Sequence, residues 1–337
     1  MKKIISILLL LILITGCSSK NEKFDDSFLS FDTYIEFTAY TKDKETFDKY
    51  DKIVQDKFTY YDQLFDAYNN YKNVNNVKTI NDNAGKKAVV VDQDLYYLIK
   101  ESVNYYHNAD KKNNIMLSPV INQYKIQQNN YENNKPVTNP SMSYLKELNK
   151  CTSMSNIQLN DKDHSIYLKE KCAQMDVGSV AKGYATDLIA EYVKKQGLSS
   201  GIINAGGNVS LIGSKNNKPF VIGIANPDDP NTYILTIDSE NTNIVTSGDY
   251  QRYYMINGKR MNHIIDPDTL LPADVNRSVT IITDDGLKAD YFSTECFMLD
   301  KEKIAKLAKK FNFEYIIIDK NEKITISDGI KDEVKIK

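Results

Sequence analysis

The sequence predicts an α+β fold in which long helices accompany strands that are joined mainly by hairpins. Three observations predict this class. Residues 201–283 hold several short strand patterns in close succession, without the regular alternation of strand and helix that a parallel sheet requires. Asn257-Gly258 separates two of these patterns and is a strong type I′ hairpin signal. Residues 179–196 have the apolar spacing of a helix, and Gly197 suits the position just after its end.

The N-terminus has the pattern of a bacterial lipoprotein signal. Met1-Lys2-Lys3 is basic, and residues 4–14 are apolar but too few to span a bilayer comfortably. Thr15-Gly16 then places small residues directly before Cys17. Small residues before a cysteine at this point favour lipid attachment, and an ordinary secretory signal with an incidental cysteine is the alternative.

From this pattern we expect a signal peptide of residues 1–16, cleaved before a lipidated Cys17. Residues 17–28 would hold the lipidated cysteine and a polar tether, and residues 29–337 would form one working domain. Two or more acyl chains anchor a protein stably, so we expect the domain on the extracytoplasmic face of the cell membrane.

The composition excludes several classes of protein. The chain has 337 residues and a formal net charge of −2, which gives no reason to expect nucleic-acid binding. Its three histidines and the lack of a paired-cysteine motif argue against a zinc site. Besides Cys17 the cysteines are Cys151, Cys172 and Cys296. A disulfide between Cys151 and Cys172 suits an extracytoplasmic compartment, and whether they pair stays open.

The remaining elements follow from period and turn chemistry. Apolar alternation or short apolar runs between turn residues predict strands over 31–40, 89–91, 157–168 (a hairpin), 201–204, 209–212, 220–224, 233–237, 252–256, 259–264, 278–283, 315–318 and 323–326. Helical spacing predicts helices over 43–61, 92–108, 286–299 and 301–311. The polar stretch 125–140, which contains Pro136 and Pro140, is predicted to be a surface insertion.

A first group of residues has the features of a phosphate site. Asp176, Ser179 and Lys182 lie around a glycine turn that opens a helix, and residues 204–208 form a second glycine turn. Helix N-termini present free N–H groups and a positive dipole end to anions, and a nearby cation would neutralise a diphosphate. The alternative is a capped helix with Lys182 on its solvated face.

A second group supplies a candidate base. Residues 246–250 and 262–267 flank the predicted hairpin at Asn257-Gly258, so strand pairing brings them close in space. His263 with Asp266 would provide a general base and its orienting carboxylate. The alternative is a histidine at an ordinary strand position, followed by a turn built on Asp266-Pro267.

A third group suits a hard cation. Asp290 and Thr294 are separated by one turn of a predicted helix, so their oxygens share a face. A carboxylate and a hydroxyl are ligands that Mg²⁺ accepts while it keeps other positions for water or phosphate. The alternative is a helix cap at Asp290 and a backbone hydrogen bond from Thr294.

Together and in this order, these motifs resemble the FAD:protein FMN transferase family, also called the ApbE family. The resemblance runs from about Phe31 to Leu299, and its strongest marks are the segments 176–185, 204–208, 246–250, 263–267 and 289–294. Weaker marks are Phe31-Asp32-Thr33 and residues 71–85. The resemblance implies a compact α+β domain, related to the T-fold, of two interlocked parts around a flavin cleft.

The resemblance also implies an activity, namely Mg²⁺-dependent transfer of FMN from FAD to a Thr or Ser hydroxyl of a target flavoprotein, with release of AMP. The implied partner is a membrane-attached or secreted flavoprotein. FAD contacts are implied at Phe31, Tyr71, Asp176, Lys182, His263 and Ile264. Metal contacts are implied at Ser179 through its backbone oxygen, and at Asp290 and Thr294 through their side chains. His263 is implied as the base, and Asp266 is our candidate for its orienting partner.

One departure from the family pattern and three alternatives remain. The family usually has glycine where this chain has Leu270, and because a leucine does not readily adopt positive φ, we expect that turn to differ. Water in place of the acceptor hydroxyl would make the protein an FAD pyrophosphatase. A non-catalytic FAD-binding lipoprotein would not need Asp290, Thr294 and His263. A solute-binding lipoprotein would show two doubly wound lobes, with which the closely spaced strands disagree.

Overall fold

The computed structural model describes residues 21–337, which contain eight α-helices and sixteen β-strands. The predicted signal peptide and Cys17 lie outside these residues. Within the described part of the chain, no helix has both the length and the apolar character needed to cross a membrane.

The helices are α1 (Lys44–Phe65), α2 (Val77–Asp82), α3 (Gln93–Asn108), α4 (Ser118–Glu132), α5 (Met142–Asn149), α6 (Ala181–Lys195), α7 (Gly286–Phe297) and α8 (Lys301–Phe311). The strands are β1 (Glu22–Ser30), β2 (Thr33–Thr41), β3 (Val89–Val90), β4 (Ile157–Asn160), β5 (Ser165–Leu168), β6 (Ser200–Ala205), β7 (Asn208–Gly213), β8 (Phe220–Asn226), β9 (Asp229–Ser239), β10 (Asn243–Gly248), β11 (Tyr253–Ile256), β12 (Lys259–Asn262), β13 (Asn276–Thr283), β14 (Glu314–Asp319), β15 (Ile324–Ile326) and β16 (Val334–Ile336).

An antiparallel sheet of eight strands is the centre of the fold. Its order is β1-β2-β6-β7-β10-β13-β14-β15. Three smaller sheets are the hairpin β11-β12, the sheet β16-β9-β8 and the sheet β3-β5-β4. The predicted α+β class is confirmed, since helices and antiparallel strands are combined without parallel pairing among the described strands.

The two faces of the large sheet are buried against different partners. Successive side chains of a strand point to opposite faces of the sheet. On β10, Val245 therefore packs with the helices, whereas its neighbour Ile244 packs with β8 and β9. The helical side holds the larger core, which includes Phe37 of β2, Phe58 of α1 and Ile189 of α6. The sheet is therefore covered by helices on one side and by a small sheet on the other.

Helices α6 and α7 cross at two glycines. A Cβ atom on Gly183 would lie 2.4 Å from the Gly286 carbonyl oxygen, and a Cβ on Gly286 would lie 2.4 Å from the Gly183 carbonyl oxygen. The N–H of Gly183 donates to Asp290 at 2.8 Å, and the N–H of Gly286 donates to Asp187 at 2.9 Å. The contact is reciprocal: on each helix, the aspartate four residues after the glycine accepts the N–H of the glycine on the other helix.

The first strand corrects the predicted tether. Residues 17–28 were expected to be a polar tether, but β1 begins at Glu22 and pairs with β2 along its whole length. Phe24 and Phe28 supply the reason, since their rings pack on Phe47 and Phe58 of α1. Two partly buried aromatic rings at even spacing stabilise a strand in an otherwise polar segment.

The predicted surface insertion is partly wrong as well. Of the stretch 125–140, the first part belongs to α4, which buries Val120 and Tyr124 despite its many polar residues. Pro119 lies at the start of α4, where its missing N–H costs no helical hydrogen bond. Helices α2 and α5 and strand β16 were not predicted, since each is short. Cys151 and Cys172 form a disulfide, which answers the open question of their pairing.

The turn around Leu270 also differs from expectation. Leu270 has φ of +60°, the left-handed conformation that we expected leucine to avoid. Its side chain is 4 % exposed and packs with Leu117 and Tyr254, its N–H donates to the Asp266 carbonyl at 2.8 Å, and its own carbonyl accepts from the Tyr124 hydroxyl at 2.7 Å. Burial and two hydrogen bonds offset a backbone cost of about 1–2 kcal/mol.

The crossing of α6 and α7 leads to a stability prediction. Gly286→Ala should lower the free energy of unfolding by about 3 kcal/mol, because the added methyl group meets the Gly183 carbonyl oxygen and the Asp187 Cβ, neither of which can rotate away. The matched control is Gly258→Ala, since Gly258 has nothing within 4 Å and only its φ of +76° opposes a side chain, for about 1 kcal/mol. Urea unfolding measures both, and equal losses would contradict close packing at the crossing.

Candidate active site

A cleft of about 1270 Å³ lies where the sheet, the helix crossing and α4 meet. Its floor is formed by the end of β10, the start of α6 and the middle of α7, and one wall is formed by α4. The cleft exceeds the ~300–1,000 Å³ of ordinary small-molecule pockets, so a dinucleotide would fit together with part of a second molecule.

Two tight hairpins form the rim of the cleft. Gly206 and Gly207 join β6 to β7 with φ of +57° and +93°, and Phe31 and Asp32 join β1 to β2 with φ of +51° and +53°. Paired positive φ values are those of a type I′ turn. A Cβ on Gly206 would lie 2.5 Å from the Thr33 hydroxyl oxygen, so the two turns touch. The predicted second glycine turn thus shapes the cleft rim.

Asp290 lies on the cleft floor and is 5 % exposed. Its carboxylate accepts a hydrogen bond from the N–H of Gly183 at 2.8 Å. Burial raises the pKa of Asp290 to about 6, although Lys182 and the Gly183 N–H oppose the shift. A buried carboxylate with one N–H donor is incompletely compensated, so a cation beside it would stabilise its charged form.

The same contact affects Ser179. In a regular helix the N–H of Gly183 would donate to the carbonyl four residues earlier, which is that of Ser179. Here that N–H donates to Asp290 instead, and within residues 21–337 no hydrogen bond to the Ser179 carbonyl is found. The Ser179 hydroxyl is occupied, because it donates to Asn113 at 2.7 Å. The backbone oxygen implied as a metal contact is therefore free.

Thr294 completes the implied metal group on the same cleft floor. Its hydroxyl lies 3.4 Å from the hydroxyl of Ser247, which also contacts the Ser293 hydroxyl at 2.8 Å. A carboxylate, a hydroxyl and a free carbonyl oxygen are the hard donors that Mg²⁺ takes, so these residues fit the ion. No cluster of three or more His, Cys, Asp or Glu occurs among the described residues, which leaves water and substrate oxygens to complete a coordination shell.

Two cations, Lys182 and Arg252, line the cleft and act on each other electrostatically. Lys182 lies in the first turn of α6, and desolvation lowers its pKa, with Asp290 opposing and Arg252 assisting the shift. Arg252 donates to the carbonyl oxygens of Asp32 at 3.1 Å and Phe31 at 3.4 Å. An anionic group placed here would be attracted by both cations and would reduce their mutual repulsion.

His263 lines the cleft with one ring nitrogen available. Its Nδ1 lies 3.1 Å from the carbonyl oxygen of Arg252, which can only accept, so Nδ1 carries the proton and Nε2 is the basic nitrogen. Burial lowers the pKa of His263 to about 3, and the charges of Arg252 and Lys182 act in the same direction. The imidazole is neutral near neutral pH and can accept a proton.

Asp266 does not have the orienting role that we expected. Its carboxylate accepts from the Lys112 ammonium at 2.8 Å and from the Asp268 N–H at 2.9 Å, and the Arg252 carbonyl takes the place beside His263. The reason is that Asp266 begins a turn in which its own backbone pairs with Leu270 and Leu271, so its side chain faces Lys112. Asp266 is a residue of this turn and not the histidine's partner.

Asp176 lies in the cleft in a network of three contacts. It accepts from Tyr68 at 2.6 Å, from Lys125 at 2.8 Å and from the N–H of Gly178 at 2.8 Å. Burial would raise the pKa of Asp176, but Lys125 and these hydrogen bonds outweigh burial and hold it below its usual value. Asp176 thus ties α4 to the segment before α6.

The remaining implied FAD contacts have different surroundings. Ile264 lines the cleft and is 5 % exposed. Phe31 lies in the rim turn, but its ring packs on Phe58 and Phe65, and its neighbour Asp32 lines the cleft instead. The Tyr71 hydroxyl donates to Asp66 at 2.8 Å, and Tyr71 lies outside the residues that line the cleft. The aromatic side chain that this segment supplies to the cleft is Tyr68.

Sequence reasoning missed several further residues of the site. Tyr68, Lys125 and Arg252 line the cleft, and only Arg252 stands beside a recognised motif. Glu295 is fully buried, and its carboxylate accepts the N–H groups of Lys112 at 3.0 Å and Asn113 at 2.5 Å. Burial raises the pKa of Glu295 to about 7. In the sequence, the position of Glu295 directly after Thr294 was the one feature that could have drawn attention to it.

Comparison with known proteins agrees with this architecture. The model of the ApbE family matches residues 31–317. The FAD:protein FMN transferase of Klebsiella pneumoniae (strain 342) is 29% identical over 272 residues, which cover 79% of this chain and 83% of the relative. The FAD:protein FMN transferase of Treponema pallidum (strain Nichols) is 28% identical over 276 residues, which cover 76% of this chain and 74% of the relative.

Solved structures show the same fold. The crystal structure of the ApbE protein of Thermotoga maritima superposes with a TM-score of 0.82 at 26% identity and covers 93% of this chain and 99% of that chain. The flavin transferase ApbE of Vibrio cholerae superposes with a TM-score of 0.77 at 19% identity, with coverage of 93% and 99%.

The curated relatives with this fold are FAD:protein FMN transferases, so the chain is a transferase of the flavin-transferring class. The chain belongs to the ApbE family, as the sequence motifs led us to expect.

The environment of His263 leads to a titration prediction. In the protein without FAD, the imidazole should stay neutral down to about pH 4, because its folded-state pKa is about 3. Addition of FAD should raise that pKa, since a diphosphate offsets the charges of Arg252 and Lys182. NMR titration of the ring carbon signals, assigned with His263→Gln, measures both values. A pKa near 6.5 in the protein without FAD would contradict the desolvated geometry.

Proposed function

We propose that this protein transfers FMN from FAD to a Thr or Ser hydroxyl of a target flavoprotein, with Mg²⁺ dependence and release of AMP. The observation that carries the proposal is the hydrogen bond from Gly183 to Asp290, which leaves the Ser179 carbonyl free beside a buried carboxylate. The relatives are FAD:protein FMN transferases, and this supports the same reaction.

In this proposal Asp290, Thr294 and the Ser179 carbonyl would hold Mg²⁺ on the cleft floor. The ion would supply charge stabilisation on the diphosphate oxygens. Lys182 and Arg252 bind the diphosphate by charge, and Ile264 offers an apolar surface within the cleft. These contacts bind and orient the nucleotide, which is the larger part of what phosphoryl transfer requires of a protein.

The proton in this reaction goes to His263. The acceptor hydroxyl attacks the phosphorus atom of the FMN half, the bond from that phosphorus to the bridging oxygen breaks, and AMP leaves with the bridging oxygen. Nε2 of His263 takes the hydroxyl proton, while Nδ1–H donates to the Arg252 carbonyl and keeps the ring in place. Bound diphosphate makes the imidazole a stronger base than it is in the empty cleft, because it offsets the neighbouring cations.

The proposed location is the extracytoplasmic face of the cell membrane, with lipid on Cys17. Because β1 begins at Glu22, four residues of the sequence lie between the proposed lipid site at Cys17 and the first strand. A short tether keeps the cleft near the membrane and favours membrane-attached acceptors.

The reaction is tested with the protein starting after Cys17, FAD, Mg²⁺ and a domain bearing a candidate acceptor Thr. The wild-type protein should release AMP and add one FMN to the acceptor, as measured by chromatography and mass spectrometry. Asp290→Asn should lower both by at least about 100-fold, because it removes the buried charge that holds the ion. AMP with free FMN and an unmodified acceptor would replace transfer by pyrophosphatase activity, and bound FAD without AMP would support the carrier alternative.

The matched control for this test is Asp284→Asn. Asp284 precedes the same helix, but its side chain is 85% exposed. Its substitution should leave the rate within about twofold, as for most surface changes. Equal losses in the two variants would argue against a special role for Asp290.

Lipid anchoring has a separate test. The full chain expressed in a bacterial host should fractionate with membranes, and Cys17→Ser should move the protein out of the membrane fraction or leave its signal uncleaved. Release of the wild-type protein as a soluble species would contradict the anchor and leave the transfer reaction untouched.

A further inference from the structure

Asp187 is a carboxylate that the proposed reaction does not use. It lies on α6 and outside the residues that line the cleft. Burial raises its pKa. Asp187 is partly buried, and burying a carboxylate costs free energy unless hydrogen bonds or opposite charges compensate for it.

The contacts of Asp187 reach two other elements of the site. One carboxylate oxygen accepts the N–H of Gly286 at 2.9 Å, and the other accepts the side-chain amide of Asn243 at 3.0 Å. Gly286 is the first residue of α7, and Asn243 is the first residue of β10. Asp187 therefore connects α6, α7 and β10 at one point.

These three elements carry the cleft floor. Lys182 is on α6, Asp290 is one turn after Gly286 on α7, and Ser247, near the end of β10, contacts the Thr294 hydroxyl at 3.4 Å. The start of α7 cannot shift toward α6, because the two glycines are already at backbone distance. The hydrogen bond from the Gly286 N–H to Asp187 resists movement of the start of α7 away from α6.

We propose that Asp187 is a positioning residue for the cation-holding carboxylate of Asp290, which acts by fixing the first turn of α7 through the Gly286 N–H. This inference rests on the proposed function. It assigns a task to a residue that touches neither the nucleotide nor the ion.

The test measures binding of Mg²⁺ to the FAD-loaded protein by calorimetry, beside FAD affinity and the free energy of unfolding. Asp187→Ala should weaken Mg²⁺ binding by about 10-fold or more, which is the usual effect of losing a group that orients a metal ligand. FAD affinity measured without Mg²⁺ should change by less than about threefold, because Asp187 lies outside the cleft.

Asn243→Ala is the matched control. It removes the other partner of the Asp187 carboxylate and leaves the Gly286 hydrogen bond in place. It should lower the free energy of unfolding but leave Mg²⁺ affinity within about threefold. Equal losses of Mg²⁺ affinity in the two variants would show a merely structural role and overturn the proposal.

An exchange of the two side chains, Asp187→Asn with Asn243→Asp, provides a rescue. The asparagine at 187 can accept the Gly286 N–H with its amide oxygen and donate its amide to the carboxylate at 243. The carboxylate at 243 can also accept the Ser210 hydroxyl, as Asn243 does in the wild-type protein. The double variant should recover most of the Mg²⁺ affinity that Asp187→Ala loses. Failure of the rescue, or unchanged Mg²⁺ affinity in Asp187→Ala, would overturn the positioning role alone, whereas a wild-type protein that binds no Mg²⁺ would overturn the metal site of the proposed function with it.

Discussion

The backbone contact between α6 and α7 is the constraint on which the site depends. Gly183 and Gly286 allow two helices to approach until each carbonyl would touch a Cβ on the other. At that separation an aspartate from each helix can reach the free N–H of the other helix's first turn. The two aspartates have different surroundings, since Asp290 faces the cleft and Asp187 contacts Asn243 of the sheet. One packing motif thereby places one aspartate in the cleft and the other against β10.

The charges of the cleft suit a diphosphate that binds together with a divalent cation. Asp176 is already paired with Lys125. The buried Asp290 carboxylate shares the cleft with two further cations, Lys182 and Arg252, and with the neutral His263. A diphosphate alone would satisfy these cations, and a divalent ion alone would satisfy Asp290. Bound together, they satisfy both groups, so the electrostatics favour the nucleotide and the ion as a pair.

Much of the fold and part of the site could be predicted from sequence, and the division has physical reasons. The α6 helix, the hairpin at Asn257-Gly258 and the glycine turn at Gly206-Gly207 depend on local conformation, which short motifs encode directly. Strand β1 and the contact of Tyr68 and Lys125 with Asp176 depend on tertiary packing between segments far apart in the chain. The partner of His263 was mistaken for a related reason: the nearest carboxylate in sequence was chosen, whereas the hairpin brings a backbone carbonyl to the ring.

The turn at Leu270 indicates how such a cleft can vary without loss of its chemistry. The catalytic floor belongs to the main core, in which α6 and α7 pack on the large sheet. Leu270 instead belongs to a separate apolar cluster with Leu117 and Tyr254, which joins α4 to the β11-β12 hairpin. A residue that needs positive φ is tolerated there because its side chain adds to that cluster. Changes in this second cluster would reshape the α4 wall, while the helix crossing would keep Asp290 and Lys182 in place.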